Sequence, residues 1–184
     1  GYRDAQIVVD SITPFDDRTV DIYMHIEEGE KYYLRNITWV GNTVYPSDYL
    51  AALLQMKKGD VYNQKLLGER TSTDEDAIGN KYYNQGYVFY NLDPVEVNIV
   101  GDSIDLEMRI VEGPQATINR VRINGNDRLY ENVVRRELRT KPGDLFNKDA
   151  LERSYREIAQ MGHFNPENIQ PDVQPDAANG TVDI

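Results

Sequence analysis

The side chains that could take part in catalysis or metal binding are few in this sequence and stand far apart. The two histidines, His25 and His163, are isolated from each other, and the chain contains no cysteine. A zinc site or a general base needs several such groups brought together. We therefore assign both histidines to pairing or surface positions. The lack of cysteine excludes disulfides and thiolate chemistry.

The run Asp74-Glu75-Asp76 could attract a metal ion, because carboxylate oxygens are the ligands that hard cations prefer. At helical spacing the three side chains splay around a helix, so we interpret the run as a solvated face. The sequence shows no cluster of nucleophile, base and oxyanion donor. We predict a protein that is not an enzyme and that uses no metal or cofactor; a hydrolase is the alternative from another class.

The thirteen tyrosines allow two interpretations. Pairs such as Tyr32-Tyr33 and Tyr82-Tyr83 could line an adhesive groove for peptides, or they could pack half-buried in sheets and helices. We favour packing for most of them, because an amphipathic ring suits a half-buried surface.

An internal repeat organises the rest of the chain. Residues Glu112–Arg153, shifted back by 84 positions, align without a gap with Glu28–Glu69, and ten of the 42 positions are identical. The identical pairs are Glu28/Glu112, Gly29/Gly113, Gly41/Gly125, Asn42/Asn126, Leu54/Leu138, Lys57/Lys141, Gly59/Gly143, Asp60/Asp144, Asn63/Asn147 and Leu67/Leu151. Gly and Asn are residues of turns and helix caps, so the repeat indicates a domain array whose function lies in its surfaces.

The net charge of −11 is unevenly distributed along the chain. Residues 1–29 and 30–113 carry −5 each, residues 114–184 carry −1, and residues 120–141 have a local excess of +4. An acidic chain is a poor partner for a phosphate backbone, so we do not expect nucleic-acid binding. No apolar run approaches the roughly 20 residues of a membrane-spanning helix.

Apolar periodicity predicts a β-hairpin in residues 1–29 and then one order of elements twice: strand, helix, helix, strand, strand. The first copy comprises Tyr33–Val40, a helix from Pro46 to the Lys57-Lys58-Gly59 stop, a helix from Asn63 to Gln85 with a polar middle, and strands around Val95–Ile99 and Ile104–Ile110. The second comprises Ile118–Ile123, Leu129–Leu138, Asn147–Met161, Ile169–Val173 and a strand after the Asn179-Gly180 turn.

This order predicts an α+β fold in three parts. Residues 1–29 are the closing hairpin of a preceding unit, 30–113 form a full unit, and 114–184 form a second unit truncated at its last strand. In each unit the two helices cover one face of a three-stranded mixed sheet, and the closing strand lies between the other two. The middle strand of the unit then lies at an edge of the sheet.

The repeated unit resembles the POTRA (polypeptide-transport-associated) domain over nearly the whole chain. Its motifs here are a Gly and an aromatic residue before the hairpin (Gly1-Tyr2, Gly86-Tyr87, Gly162-His163-Phe164), Glu-Gly after it and Gly-Asn after the first strand. A longer unit followed by a shorter one, whose first helix reads Val133-Val134-Arg135-Arg136-Glu137-Leu138-Arg139, is similar to the last two POTRA domains of outer-membrane protein insertases.

The resemblance implies a place and a function. Such domains stand at the periplasmic face of the outer membrane of Gram-negative bacteria, ahead of their own C-terminal membrane β-barrel. They dock accessory lipoproteins and receive unfolded β-barrel clients by strand addition before membrane insertion. Within the family, the alternatives are a translocation-type relative and a two-partner secretion transporter.

Two surfaces are the candidate sites. Arg135, Arg136 and Arg139 are expected to bind a partner lipoprotein, with Glu131 one turn earlier as an internal ion-pair partner. The edge strand formed by Val95, Glu96, Val97, Asn98 and Ile99 is expected to bind the client, guarded by Glu96 and Asn98 on one face. The other edge, Ile169–Val173, is blunted by Pro171 and Pro175, so the first edge is the better acceptor.

Overall fold

The computed structural model describes residues 2–16, 18–126, 129–165, 167 and 169–184. Gly1 of the first Gly-aromatic pair, and Asp127 and Arg128 of the basic stretch, lie outside the described residues. The described part contains three separate sheets, which fall within residues 1–29, 30–113 and 114–184.

The N-terminal sheet is the predicted hairpin. It pairs β1 (Gln6–Pro14) with β2 (Val20–Glu27) in antiparallel register. Asp16 closes the turn, because its carboxylate accepts hydrogen bonds from the backbone N–H groups of Arg18 (2.7 Å) and Thr19 (2.8 Å). Large apolar side chains of both strands are exposed, among them Ile22 and Met24, so the hairpin does not have a helical layer over it in the described chain.

The second sheet has the predicted topology. It comprises β3 (Tyr33–Val40), β4 (Asn91–Val100) and β5 (Ser103–Val111) in the order β3-β5-β4. The closing strand β5 lies in the centre, parallel to β3 and antiparallel to β4. Ile104, Leu106, Met108 and Ile110 alternate along β5 and are buried under the helices. The middle strand β4 is therefore an edge strand, as the sequence predicted.

The helices of this unit are more interrupted than the sequence suggested. Helix α1 (Ser47–Leu54) ends at Gln55, whose left-handed φ of 55° stops it before the predicted Lys57-Lys58-Gly59. The predicted single helix from Asn63 to Gln85 is wrong. It consists of α2 (Gln64–Gly68), a π-helical turn (Glu69–Thr73) and α3 (Ile78–Tyr83). The helix is interrupted in the polar middle that the sequence showed. Too few apolar side chains are available there to hold a continuous helix against the core.

The acidic run lies in this break and not on a helix face, which corrects its predicted placement. Asp74 pairs with Arg70 across 3.4 Å, and Asp76 pairs with Lys81 across 3.1 Å. Two of the three carboxylates are thus neutralised by cations of the same unit.

The third sheet repeats the order of the second with shorter elements. It comprises β6 (Thr117–Arg120), β7 (Gln174–Asp176) and β8 (Thr181–Asp183) in the order β6-β8-β7, with α4 (Glu131–Glu137) and α5 (Lys148–Gln160) between them.

Three predicted boundaries in this unit are wrong. Strand β6 ends at Arg120 and not at Ile123, and α4 begins two residues later than Leu129. The edge strand predicted at Ile169–Val173 is Gln174–Asp176, because Asp176 pairs with Thr181 across the Asn179-Gly180 turn and so fixes the register.

Each of the two three-stranded sheets has a hydrophobic core of its own. In the first, Leu34, Leu50, Leu54 and Ile78 are at most 1% exposed. Tyr82 is also fully buried and stacks on Tyr90 with ring centroids 4.2 Å apart, which supports packing as the main role of the tyrosines. The second core is small and consists of Ile118, Val121, Phe146, Leu151 and Val182.

The repeated turn residues form the same hydrogen bonds in both units. The backbone N–H of Leu34 donates to Asp60 O (2.8 Å) and that of Gly59 donates to Leu34 O (2.7 Å), so the loop after α1 is attached to β3. Ile118, Asp144 and Gly143 form the same two bonds, at 2.8 and 2.7 Å.

Asn63 and Asn147 then cap α2 and α5, accepting from the backbone N–H groups of Leu66 (3.1 Å) and Ala150 (2.7 Å). These identical residues are explained by local structure.

The two units meet at a polar joint. Asn147 Nδ2 donates to Asn84 O (2.8 Å), the backbone N–H of Asp149 donates to Asn84 Oδ1 (2.9 Å), and Lys148 Nζ donates to Asn80 Oδ1 (2.7 Å). Val88 of the first unit also packs against the core of the second. In the described ranges, no helix has the length and hydrophobicity needed to cross a membrane.

Candidate functional site

The predicted client segment lies at the free edge of β4, within the unit 30–113. Val97 is 47% exposed and Ile99 40% exposed, so apolar side chains are accessible at this edge. The side of β4 that faces away from β5 has no strand next to it in the observed sheet order. The backbone N–H and C=O groups of this edge can form hydrogen bonds with an extended peptide.

Two features interrupt the edge. Val97 is skipped in the pairing with β5, since Glu96 pairs with Leu106 and Asn98 with Asp105, so a β-bulge lies at Val97. Pro94 also lies within β4, just before the predicted segment. Because proline has no N–H group, it removes one donor from the strand. The edge is therefore usable only in short stretches.

The bulge corrects the predicted arrangement of Glu96 and Asn98. Directly paired residues share a face of a sheet, and Leu106 and Asp105 are neighbours in sequence that point to opposite faces. Glu96 therefore lies on the helix-covered face with Leu106, while Asn98 lies on the outer face with Asp105. A period-two pattern cannot reveal a bulge, so the sequence placed both on one face.

The outer face next to Asn98 is organised by Asp105. This carboxylate accepts hydrogen bonds from Arg35 Nε (2.8 Å) and Asn36 Nδ2 (3.0 Å). The Arg35 guanidinium is the main cause that holds the pKa of Asp105 below its usual value, against the opposing effect of burial. The outer face at this level is therefore ionic and internally satisfied.

The three arginines of the predicted lipoprotein site do not all lie on one helix. Arg135 and Arg136 lie on α4, while Arg139 lies beyond its end at Glu137. The predicted pair of Arg135 with Glu131 is present, and Arg135 Nη2 also donates to Val121 O (3.2 Å). The helix ends early because Leu138 takes an extended conformation with ψ of 129°.

Each of these arginines faces a carboxylate of the same chain. Arg136 Nε lies 3.0 Å from Glu137 Oε1, and Arg139 Nη2 lies 2.9 Å from Glu157 Oε1. The hydrogen bonds with Glu157 raise the pKa of Arg139, and Arg139 in turn lowers the pKa of Glu157. The side chains of Arg136 and Arg139 are 71% and 63% exposed, so they stay accessible.

The remaining titratable candidates are scattered. His25 lies on the exposed strand β2, and His163 lies after α5 beside Phe164. Within the described ranges, no three His, Asp or Glu side chains come together in a way that could hold a metal ion.

Glu112 is a structural residue that the sequence reasoning did not single out. It is 8% exposed and lies just after β5. Its carboxylate accepts from the backbone N–H groups of Thr43 (2.8 Å) and Val44 (2.9 Å) and from Tyr82 OH (2.9 Å), with a further short bond from Thr43 Oγ1. The identity of Glu28 and Glu112 in the repeat was the available signal.

The comparisons with known proteins agree with the observed fold. The family model described as "POTRA: Surface antigen variable number repeat" matches residues 32–113 and 116–184. A crystal structure of Haemophilus influenzae BamA POTRA3-5 superposes with a TM-score of 0.79 at 22% identity, covering 100% of this chain and 71% of that one. At this identity the superposition shows the fold.

Curated relatives carry the name outer membrane protein assembly factor BamA. That of Neisseria meningitidis serogroup B is 29% identical over 185 residues, which cover 100% of this chain and 22% of the relative. That of Nitratidesulfovibrio vulgaris is 24% identical over 185 residues, which cover 100% of this chain and 23% of the relative. The chain thus spans less than a quarter of the length of these relatives.

Proposed function

The chain belongs to the POTRA family, and we propose that it is the periplasmic scaffold region of an outer-membrane protein assembly factor. In this role it docks accessory lipoproteins and receives unfolded outer-membrane proteins at the periplasmic face of a Gram-negative outer membrane. The relatives are named as assembly factors and not as enzymes, which supports a scaffold. The observation that carries the client role is the free edge of β4 in a family-matched unit.

The proposed client site is the edge formed by Val95, Glu96, Val97, Asn98 and Ile99. An unfolded client adds here as an extended strand, with main-chain hydrogen bonds giving the affinity. Because the bulge and Pro94 shorten the usable edge, few such bonds form at once. We expect a weak affinity, with a Kd on the order of millimolar to micromolar, and little dependence on client sequence.

Replacing Val97 tests this edge with a matched pair of variants. Val97 lies at the bulge, where proline is tolerated, so V97P is expected to fold. It removes the N–H donor of Val97 and blocks a strand from lying flat, whereas V97A only shortens the side chain. Titration of the ¹⁵N-labelled chain with an outer-membrane strand peptide should shift amides along residues 91–100 in V97A but not in V97P.

The result that contradicts the client site is specific. Peptide shifts confined to the helices of residues 30–113, with none along residues 91–100 in the unmodified chain, would remove this edge from consideration. Equal binding by V97P and V97A would do the same.

The proposed lipoprotein site is formed by Arg135, Arg136 and Arg139. Each guanidinium already has an acidic neighbour, so a partner carboxylate must compete with Glu131, Glu137 or Glu157. Exposed charges of this kind affect association rate more than stability. The partner is therefore expected to be acidic and its binding to weaken with added salt.

Charge reversal tests the basic site. R135E/R136E should reduce the capture of outer-membrane lipoproteins from an envelope extract at low salt, measured by quantitative mass spectrometry against the unmodified chain. R18E/K58E is the control for total charge, because it reverses the same number of charges at two exposed positions in other parts of the chain. Equal losses in both variants, or no loss in R135E/R136E, would exclude the α4 surface.

A further inference from the structure

The segment before β1 is attached to the unit 30–113 by a group of polar and aromatic side chains. Tyr2 forms an isolated bridge with Lys31, whose Nζ lies 5.3 Å from the centre of the Tyr2 ring. Tyr32 OH donates to Asp4 Oδ2 across 2.7 Å, and the Arg3 guanidinium lies 5.8 Å from the centre of the Tyr32 ring.

Arg3 also reaches the client edge. Its Nη2 lies 2.7 Å from Oε2 of Glu96, and the two side chains are 36% and 23% exposed. Glu96 is the residue before the bulge at Val97, and it points to the helix-covered face. The ion pair therefore joins a segment outside the sheet to the point where the edge is interrupted.

Glu96 has reason to need this cation. It shares its face with Leu106, which is 1% exposed, and it lies near the buried ring of Tyr62. Burial and then the negative charge of Glu96 raise the pKa of Tyr62 to about 12. A carboxylate at the margin of an apolar layer is destabilised without a counter-charge, and it would move outward to reach water.

The repeat shows that arginine is not required to close such a joint. Gly86-Tyr87-Val88 corresponds to Gly1-Tyr2-Arg3, and Val88 packs against the apolar core of the next unit. The same position is thus apolar at one joint and ionic at the other.

We propose that Arg3 is a positioning residue for the client edge: by holding Glu96 under the sheet, it keeps the bulged segment of β4 in the conformation that accepts a client strand. This inference rests on the proposed client function of β4. It makes the segment that leads into the hairpin a determinant of client binding in the neighbouring unit. The hairpin and the edge are then coupled through one ion pair.

A double-mutant cycle tests the coupling. The variants are R3M, E96Q and R3M/E96Q, and the probe is a ten-residue synthetic strand peptide of alternating apolar and polar residues. R3M leaves Glu96 with the Tyr62 hydroxyl but without a cation, so it should shift the amides of residues 96–98 and weaken peptide binding by about three- to ten-fold. E96Q needs no cation, so R3M should have no further effect in that background, and E96Q and R3M/E96Q should bind the peptide within about two-fold of each other. R3K, which keeps the charge, should retain most of the affinity.

The outcomes separate this inference from the function on which it rests. R3M binding as tightly as the unmodified chain, or a loss from R3M in the E96Q background as large as in the unmodified chain, overturns the role of Arg3 while the client edge stands. A complete absence of peptide shifts along residues 91–100 in the unmodified chain overturns both. Circular dichroism of R3M establishes that a loss of binding does not come from unfolding.

Discussion

At the scale of single residues, Glu112 connects more of the fold than any residue that the sequence singled out. Its carboxylate joins the end of β5 to the loop after β3, through Thr43 and Val44, and to α3 through Tyr82. Gly113 follows it directly and leads into the next unit. One side chain thus connects the sheet, the helical layer and the point at which the chain enters the next unit.

Removing this carboxylate should be costly. E112A leaves two backbone donors and a buried phenol without an acceptor, and we expect a loss of about 3 kcal/mol in the free energy of unfolding. E112Q keeps one acceptor oxygen and should lose less. Urea unfolding followed by Trp39 fluorescence measures both, because the single tryptophan lies on β3 of the same unit. A loss below about 1 kcal/mol in E112A would contradict this account.

The same residue should make stability depend on pH. Burial opposes the ionisation of Glu112, but the hydrogen bonds from Thr43, Val44 and Tyr82 outweigh it and hold its pKa below the usual value. A depressed pKa stabilises the fold above the unfolded-state pKa of about 4.3, and this contribution is lost as pH falls through the folded-state pKa. The stability difference between the unmodified chain and E112Q should therefore shrink between about pH 5 and pH 3. A constant difference would show that Glu112 does not titrate in this way.

At the scale of elements, the turn after the first strand differs between the two copies. Gly41 and Gly125 both have positive φ, 90° and 79°. A Cβ on Gly41 would lie 2.0 Å from the backbone oxygen of Ile110 on β5, whereas no described atom lies within 4 Å of a Cβ on Gly125. The same glycine therefore serves close packing in one unit and only the turn conformation in the other.

Alanine substitutions at this matched pair separate the two causes. G125A should cost about 1 kcal/mol, the price of a left-handed residue with a side chain. G41A adds a clash with strand backbone and should cost about 3 kcal/mol or more. Because a chain with two cores need not unfold in a single step, urea titration followed by NMR signals of each unit is the suitable measurement. Equal losses would mean that the close approach at Gly41 is relieved by a small backbone shift.

The elements also show what a sequence can predict. Strand β3 has the predicted bounds, and α5 is capped by the predicted Asn147, because alternation and a helix cap are local signals. The β-bulge at Val97 and the π-helical turn each insert a residue into a regular element. The apolar periodicity of a sequence does not reveal such an insertion, because it is set by tertiary contacts.

The candidate sites show the same limit. The edge position of β4 follows from element order, but the ion pair of Arg139 with Glu157 joins residues that are 18 positions apart and depends on a tertiary contact.

At the scale of the whole molecule, the two joints are built differently. The joint between the hairpin and the unit 30–113 includes the ion pair of Arg3 with Glu96 and the hydrogen bond of Tyr32 with Asp4, whereas the second joint combines the bonds of Asn84 with the packing of Val88. Salt screens exposed ion pairs but has little effect on buried apolar contacts. The first joint should therefore loosen in high salt and the second should not.

Asn84 is the residue on which the second joint can be tested. N84A removes the acceptor of the Asp149 N–H group, so the units 30–113 and 114–184 should lose their fixed orientation. Residual dipolar couplings of the unmodified chain should fit one alignment tensor for both units, and those of N84A should need two. N98A, on the outer face of β4, is the control and should behave as the unmodified chain. A single tensor for N84A would show that the remaining contacts, among them those of Lys148 with Asn80 and of Val88 with the second core, fix the joint without the Asn84 side chain.

The two copies of the repeat differ in length next to this joint. The copies align at an offset of 84 up to the caps Asn63 and Asn147, but Gly86 and Gly162 are only 76 apart, so the copies differ by eight residues in their second helical segment. In the longer copy this segment contains the π-helical turn and Asn80, whose Oδ1 accepts a hydrogen bond from Lys148 of the shorter copy. The two copies therefore form an ordered pair and are not interchangeable. Exchanging their order in the chain would separate Asn80 from the lysine that it contacts.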